Sequence, residues 1–222
     1  LRRGLAVDRA EAALVTNIAE DHFGEFGVHD LASLAEAKLV VARALDADAP
    51  LVLNADDPTL VRLASATRRP VTWFSLDGAD GLIKAAEARG EPAVTVQNDQ
   101  VMILERGHRE SVIRVADIPV TLGGAARHNI SDVLGAVALA RSLGLSIAAI
   151  AEGLRGFQGT ALENPGRLNV FELGGARVIV DFAHNPHGMR ALVELATTFP
   201  AERRLVILGQ AGDRDDDAIR EL

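Results

Sequence analysis

Residues 50–75 read PLVLNADDPTLVRLASATRRPVTWFS, and the fold turns on this stretch. PLVLN (50–54) is a short apolar run of strand length. It runs into ADDP, where Asp57 can accept hydrogen bonds from the first orphan N–H groups of a helix. Pro58 suits the first helical position, whose N–H would have no partner anyway. VTWFS (71–75) then returns to the β-branched and aromatic composition of a strand. Upstream, AALVTNI (12–18) is a second apolar run bounded by polar residues, as expected of a strand buried on both faces. DLASLAEAKLVVARAL (30–45) has the length and composition of a helix, with Asp30 as N-cap. The resulting β-α-β-α-β rhythm predicts an α/β protein with a parallel, doubly wound sheet.

Further along, the texture changes. AVTVQNDQVMILERGHRESVIRVADIPVT (93–121) is a series of short β-rich runs broken at Asn98-Asp99 and Gly107, which predicts a small antiparallel sheet as a β insertion. RHNISDVLGAVALARSLGL (127–145) returns to helix, and a shorter helix follows Ser146. GFQGTALENPGR (156–167) concentrates Gly, Asn and Pro and marks the expected domain boundary, dividing the chain into 1–160 and 161–222. In ARVIVDFAHNPHG (176–188) a strand leads into a loop where Asn185 and Pro186 suit N-cap and N1 of the next helix. RRLVILG (203–209) reads as a further strand, so a second β-α-β unit is expected to start its own sheet.

The 222 residues contain no cysteine, which rules out a disulfide framework and a thiolate metal site. A formal net charge of −8 gives no general attraction to nucleic acid or to an anionic membrane, so small molecules or protein partners are expected. No apolar run approaches the roughly 18–20 residues of a membrane span, and no leader pattern opens the chain, so a cytoplasmic setting is expected. The chain opens at Leu1 and stops at DDDAIREL, and both ends read as cuts in a longer protein.

Ligands of open α/β sheets bind outside the carboxyl ends of the strands. Four polar clusters fall there: Asn17 to His22, Asn54 to Asp57, Asp181 to His187, and Gly209 to Asp217. His22, after Asp21, is a candidate ligand for a divalent ion. Lys38 lies on one helical face with Leu31, Leu34, Val41 and Leu45; a lysine on an apolar stripe must snorkel, pair with an acid or lose its charge. Asp181, His184 and His187, three residues apart, suit either the metal site of a hydrolase or a helix-capping loop whose acid holds a ribose hydroxyl. No G-x-x-x-x-G-K-[ST] occurs, and TLGGAARHN (121–129) lacks the lysine of a phosphate cradle.

Taken in order, TNIAEDHFGEFG (16–27), the downstream EAK, LNADDP, RHN, PGR, DFAHNPHG and GDRDD resemble the Mur ligase family of ATP-dependent amide ligases. The resemblance implies a P-loop-type central ATPase domain over 1–160, lacking its N-terminal P-loop part. A partial Rossmann-like C-terminal domain would follow over 161–222, with ATP and Mg2+ held between the two. It further implies that His22 is a magnesium ligand and that Lys38 is carbamylated and helps hold a second magnesium. Asn129 would contact adenine, Arg167 would reach the phosphates from between the domains, and Asp181 would bind the ribose. His184 and Asn185 would face the nucleotide and an acyl phosphate, with Lys38 and His184 serving the chemistry. The implied reaction activates a small-molecule or peptide carboxylate as an acyl phosphate, which the amine of an amino acid then attacks. LRRGLAVDRA, NADDP and PGRLN resemble most the branch that adds arginine to a polyaspartate backbone. Branches acting on muramyl peptides or folates keep the chemistry, while a metal-dependent hydrolase and a non-catalytic nucleotide-binding domain are the readings of another class.

Overall fold

The structure, a computed structural model, describes residues 5–20, 27–77 and 81–209. Its main body is one six-stranded sheet in which space follows sequence: β1 (Ala13–Val15), β2 (Leu51–Asn54), β3 (Val71–Ser75), β4 (Ala93–Gln97), β5 (Gln100–Glu105) and β6 (His108–Arg114). β1 to β4 pair in parallel, with Leu14 opposite Val52 and Leu53 opposite Trp73. The predicted β-α-β rhythm is therefore present, and β2 is buried at every position, as a strand covered on both faces must be.

The connecting helices form for local reasons. Asp30 caps α1 (Leu31–Leu39), accepting from Ser33 N at 2.7 Å while the Ser33 hydroxyl accepts from Asp30 N. Beyond Leu39 the helix tightens into a 3-10 turn (Val40–Ala44), where two adjacent β-branched valines lose rotamer freedom in an α-helix. Asp57 caps α2 (Pro58–Ala64), with Pro58 at the first position. A third helix, α3 (Gly81–Ala88), lies in a stretch with no sequence assignment. All three cover one face of the sheet, packing around Leu51, Leu53, Trp73 and Ile83. The opposite face carries Val52, Phe74 and Val94 beneath α4 (Arg127–Ser142) and α5 (Ile147–Gly156). Gly135 is what allows α4 to sit so close. A Cβ there would lie 3.3 Å from Leu14 and 3.4 Å from Phe74.

Two expectations need correction. The antiparallel strands do not form a sheet of their own: β4 pairs in parallel with β3 and antiparallel with β5, so the β5–β6 hairpin extends the main sheet. That arrangement satisfies backbone groups of β4 that an edge strand would leave open. After residue 168, β7 (Asn169–Leu173) and β8 (Ala176–Val180) form an antiparallel hairpin across Gly174-Gly175, followed by α6 (Pro186–Thr198). Residues 203–209 adopt no regular structure, and no second β-α-β sheet forms among the described residues. A strand requires a hydrogen-bonded neighbour. Leu205, Val206, Ile207 and Leu208 find none there and are exposed. The C-terminal elements instead dock through a small cluster in which Leu168, Ile179, Leu192 and Leu195 pack on Leu122 and Ala126, just ahead of α4. No helix among the described residues is long and apolar enough to cross a membrane.

Candidate functional site

The chain leaving β1 is stitched down at three consecutive residues. Asn54 Nδ2 donates to Thr16 O at 3.0 Å, Lys38 Nζ donates to Asn17 O at 3.1 Å, and Ile18 N donates to Asp57 Oδ2 at 2.6 Å. The local sequence explains the arrangement. Asn54 ends β2, and Asp57 uses its other oxygen to cap α2, accepting from Thr59 N and Leu60 N. Asp56 serves the opposite side, accepting from Ser75 Oγ at 2.6 Å and Leu76 N at 2.8 Å. The two acids of NADDP thus tie β2 to the strands on either side. Buried Asp57 takes three backbone N–H groups, hydrogen bonds that compensate its burial.

These ties shape one wall of a cleft of about 1120 Å³ at the carboxyl ends of β1 and β2. Lys38, Asn129, Arg167, Asp181, His184 and Asn185 all line it, so residues spread over most of the chain meet in one place. His22 lies outside the described residues, as do Asp21 and the GDRDD segment. Lys38, half-buried on α1, resolves its place on the apolar stripe by reaching the Asn17 carbonyl. Asn129, in the first turn of α4, donates from Nδ2 to Val120 O at 2.7 Å. Asp181 accepts from Leu168 N at 2.9 Å and from Ala183 N at 2.7 Å. Asn185 caps α6, its Oδ1 accepting from Gly188 N at 2.8 Å.

His184 Nδ1 lies 2.8 Å from Phe182 O. A carbonyl only accepts, so Nδ1 carries the proton and Nε2 is the basic nitrogen. The same Phe182 ring sits 4.8 Å from the His184 ring and under the Arg167 guanidinium at 4.9 Å. Asp181, His184 and His187 do not converge: among the described residues no group of three or more His, Cys, Asp or Glu could hold a metal ion. The cap of α6 is Asn185, between them.

Three contributors escaped the sequence reading. Asp132 and His128 line the cleft one turn apart on α4; their i, i+4 spacing, with Asn129 between, was the available signal. Phe182 had none. Asp132 is open to the cleft yet ringed by protein, and desolvation raises its pKa, against the opposing pull of His128 and Arg167. A raised folded pKa means the native state holds the proton more tightly, so this group's contribution is most favourable below the ordinary carboxylate range. It is lost as pH rises through the raised value. Asp132→Asn removes that penalty. We expect its unfolding midpoint to rise by roughly 1–2 °C at pH 7 and to match wild type near about pH 3.5, read by thermal scans at both; an equal gain at both would contradict this origin.

Gly159, between α5 and β7, is held at φ 64, and a Cβ there would lie 2.7 Å from Val120 Cγ1. Gly159→Ala is therefore expected to cost about 2 kcal/mol in urea unfolding. Adding Val120→Ala should return the steric part and leave the backbone strain. No recovery in the double variant would locate the cost elsewhere.

The chain matches the Mur ligase middle domain over residues 3–140 and the Mur ligase, glutamate ligase domain over residues 166–222. It is 35% identical over 219 residues to cyanophycin synthetase of Crocosphaera subtropica, an alignment covering 99% of this chain and 25% of that protein. The chain thus spans about a quarter of the length of this curated relative. Its fold is similar to MurF from Acinetobacter baumannii, with a TM-score of 0.63 at 22% identity over 86% of this chain and 38% of that one. It is also similar to MurF ligase from Thermotoga maritima in complex with ADP, with a TM-score of 0.58 at 18% identity, covering 86% of this chain and 40% of that one. The middle-domain match alone takes in more than half of the residues, and they include β1, β2 and α1 on one side of the cleft; the chain belongs to the Mur ligase family.

Proposed function

We propose that this chain is part of an ATP-dependent amide ligase, similar to cyanophycin synthetase, that joins arginine to the side-chain carboxylates of polyaspartate. The observation that carries the reading is the convergence of Lys38, Asn129, Arg167, Asp181, His184 and Asn185 on one cleft. The relative's name supports the choice of substrate branch. Residues 1–160 form the central module and 161–222 the C-terminal one, and consumption of ATP suits a cytoplasmic setting.

The cleft fits a nucleotide. It has the volume for one, and the Asn129 amide is already fixed by Val120 O, which orients its oxygen before any base arrives. Asp181 keeps lone pairs beyond its two backbone bonds, enough to accept from ribose hydroxyls. Lys38 also fits a divalent cation: a carbamate on Nζ keeps one N–H for Asn17 O and gains two hard carboxylate oxygens, which would help hold a second Mg2+. Bound Mg2+ supplies charge neutralisation of the phosphates. In the reaction, a carboxylate oxygen takes the γ-phosphoryl group of ATP with release of ADP, and the amine then attacks the acyl phosphate and expels inorganic phosphate as the amide forms.

The chain's own side chains hold the geometry. The Arg167 guanidinium offsets charge on the transferring group from the start of the C-terminal module. His184, with its proton on Nδ1, offers Nε2 as acceptor for the proton the amine sheds.

Phosphate release by the whole protein, measured with ATP, arginine and a polyaspartate primer, is expected to require all three. Release with a muramyl peptide or a folate instead would move the chain to another branch. No release with any carboxylate and amine pair would overturn the ligase reading.

A further inference from the structure

Asn169, the first residue of β7, is buried at 4% exposure and commits its whole side chain to the preceding loop. Nδ2 lies within reach of Gly159 O at 3.0 Å, Asn164 O at 3.1 Å and Arg167 O at 3.3 Å, while Oδ1 accepts from Gly166 N at 2.7 Å. One amide therefore gathers both ends and the middle of the connection between α5 and β7. The next residue back, Leu168, is held in the left-handed region at φ 50, where a bulky side chain is unfavourable. Its N–H is bound by Asp181 Oδ2, and its side chain is buried in the cluster beneath α6. Strain of this kind persists only where the surroundings over-determine it. Asn169 and Asp181 do so from opposite sides, and Arg167 is the residue whose backbone they bracket.

We infer that Asn169 is a positioning residue for Arg167: its hydrogen bonds fix the loop so that the Arg167 guanidinium stands over Phe182 in the cleft before nucleotide binds. An asparagine suits the task because it alone among side chains of this size offers two N–H donors and an acceptor on one rigid plane. The inference rests on the proposed role of Arg167 toward phosphate. Pre-fixing that arginine spares the ordering cost of recruiting it on binding.

A double-mutant cycle on the whole protein tests it, using calorimetric titration with ATP and a parallel unfolding midpoint for each variant. Asn169→Ala in the wild-type background is expected to weaken ATP binding by about tenfold. In the Arg167→Ala background it should weaken binding by less than about twofold, while the drop in midpoint is the same in both. Asn169→Ser, which keeps a single donor, should fall between and serves if the alanine variant does not fold. Equal weakening in both backgrounds would overturn the inference, because Asn169 would then act on the fold and not through Arg167. So would unchanged affinity on Asn169→Ala where Arg167→Ala weakens binding. Unchanged affinity on Arg167→Ala would instead remove the phosphate role of Arg167, and the inference with it.

Discussion

Replacing Lys38 by alanine is expected to lower kcat for ligation in the whole protein by roughly 100- to 1000-fold, with little effect on stability. Lys38 donates to Asn17 O, and losing a partly buried hydrogen bond of this kind costs about 1 kcal/mol. The large effect follows from charge. As an ammonium, Lys38 brings a cation to the rim of a cleft proposed to take a metal and a polyphosphate; as the proposed carbamate it would bring an anion on the same stem. The secondary N–H of the proposed carbamate could keep the bond that Lys38 now makes to Asn17 O. Because the alanine variant removes the stem but not the space, a short carboxylate such as acetate should restore part of the rate. Initial rates with and without acetate provide the check. Activity within about threefold of wild type would take Lys38 out of the chemistry, and a loss that acetate leaves untouched would argue against the carbamate.

Phe74→Ala is expected to destabilise the protein by about 3–5 kcal/mol. Phe74 is fully buried on β3, between β2 and β4, on the face covered by α4. The strands on both sides are held by their ladders, and α4 already approaches as closely as Gly135 permits. The cavity therefore has few ways to collapse, which is what places a substitution toward the upper end of the range. Set against a typical total of about 5–15 kcal/mol, such a loss would leave a marginal protein. Urea unfolding of Phe74→Ala and Phe74→Leu gives the measurement: the leucine variant should recover about half of the loss. A cost below about 1 kcal/mol for alanine would mean that α4 settles onto the sheet more freely than Gly135 implies.

The parts of this protein legible in its sequence are those decided within a few residues. Asp30, Asp57 and Asn185 each cap the helix that follows, and the two prolines at first helical positions sit where expected. Each such cap is a bond from a side chain to an N–H two or three residues on, so local order suffices to announce it. The same holds for the alternation of buried strands and helices that marks a parallel sheet. Six residues named from the family resemblance line one cleft, yet nothing in the sequence said what each touches. Asp56 and Asp57 look equivalent in NADDP, but one binds the exit of β3 and the other the exit of β1.

What only the tertiary structure decided are choices between partners far apart in the chain. Whether residues 100–114 make their own sheet or extend an existing one depends on an open edge at β4. Whether residues 203–209 become a strand depends on having such an edge beside them. Asn169 reads as an ordinary polar residue at a strand start, and its role arises from carbonyls up to ten residues away that fold back onto it. Periodicity and caps record what a segment prefers by itself; hydrogen-bond satisfaction of buried groups is a property of the assembled chain, and it set the cleft.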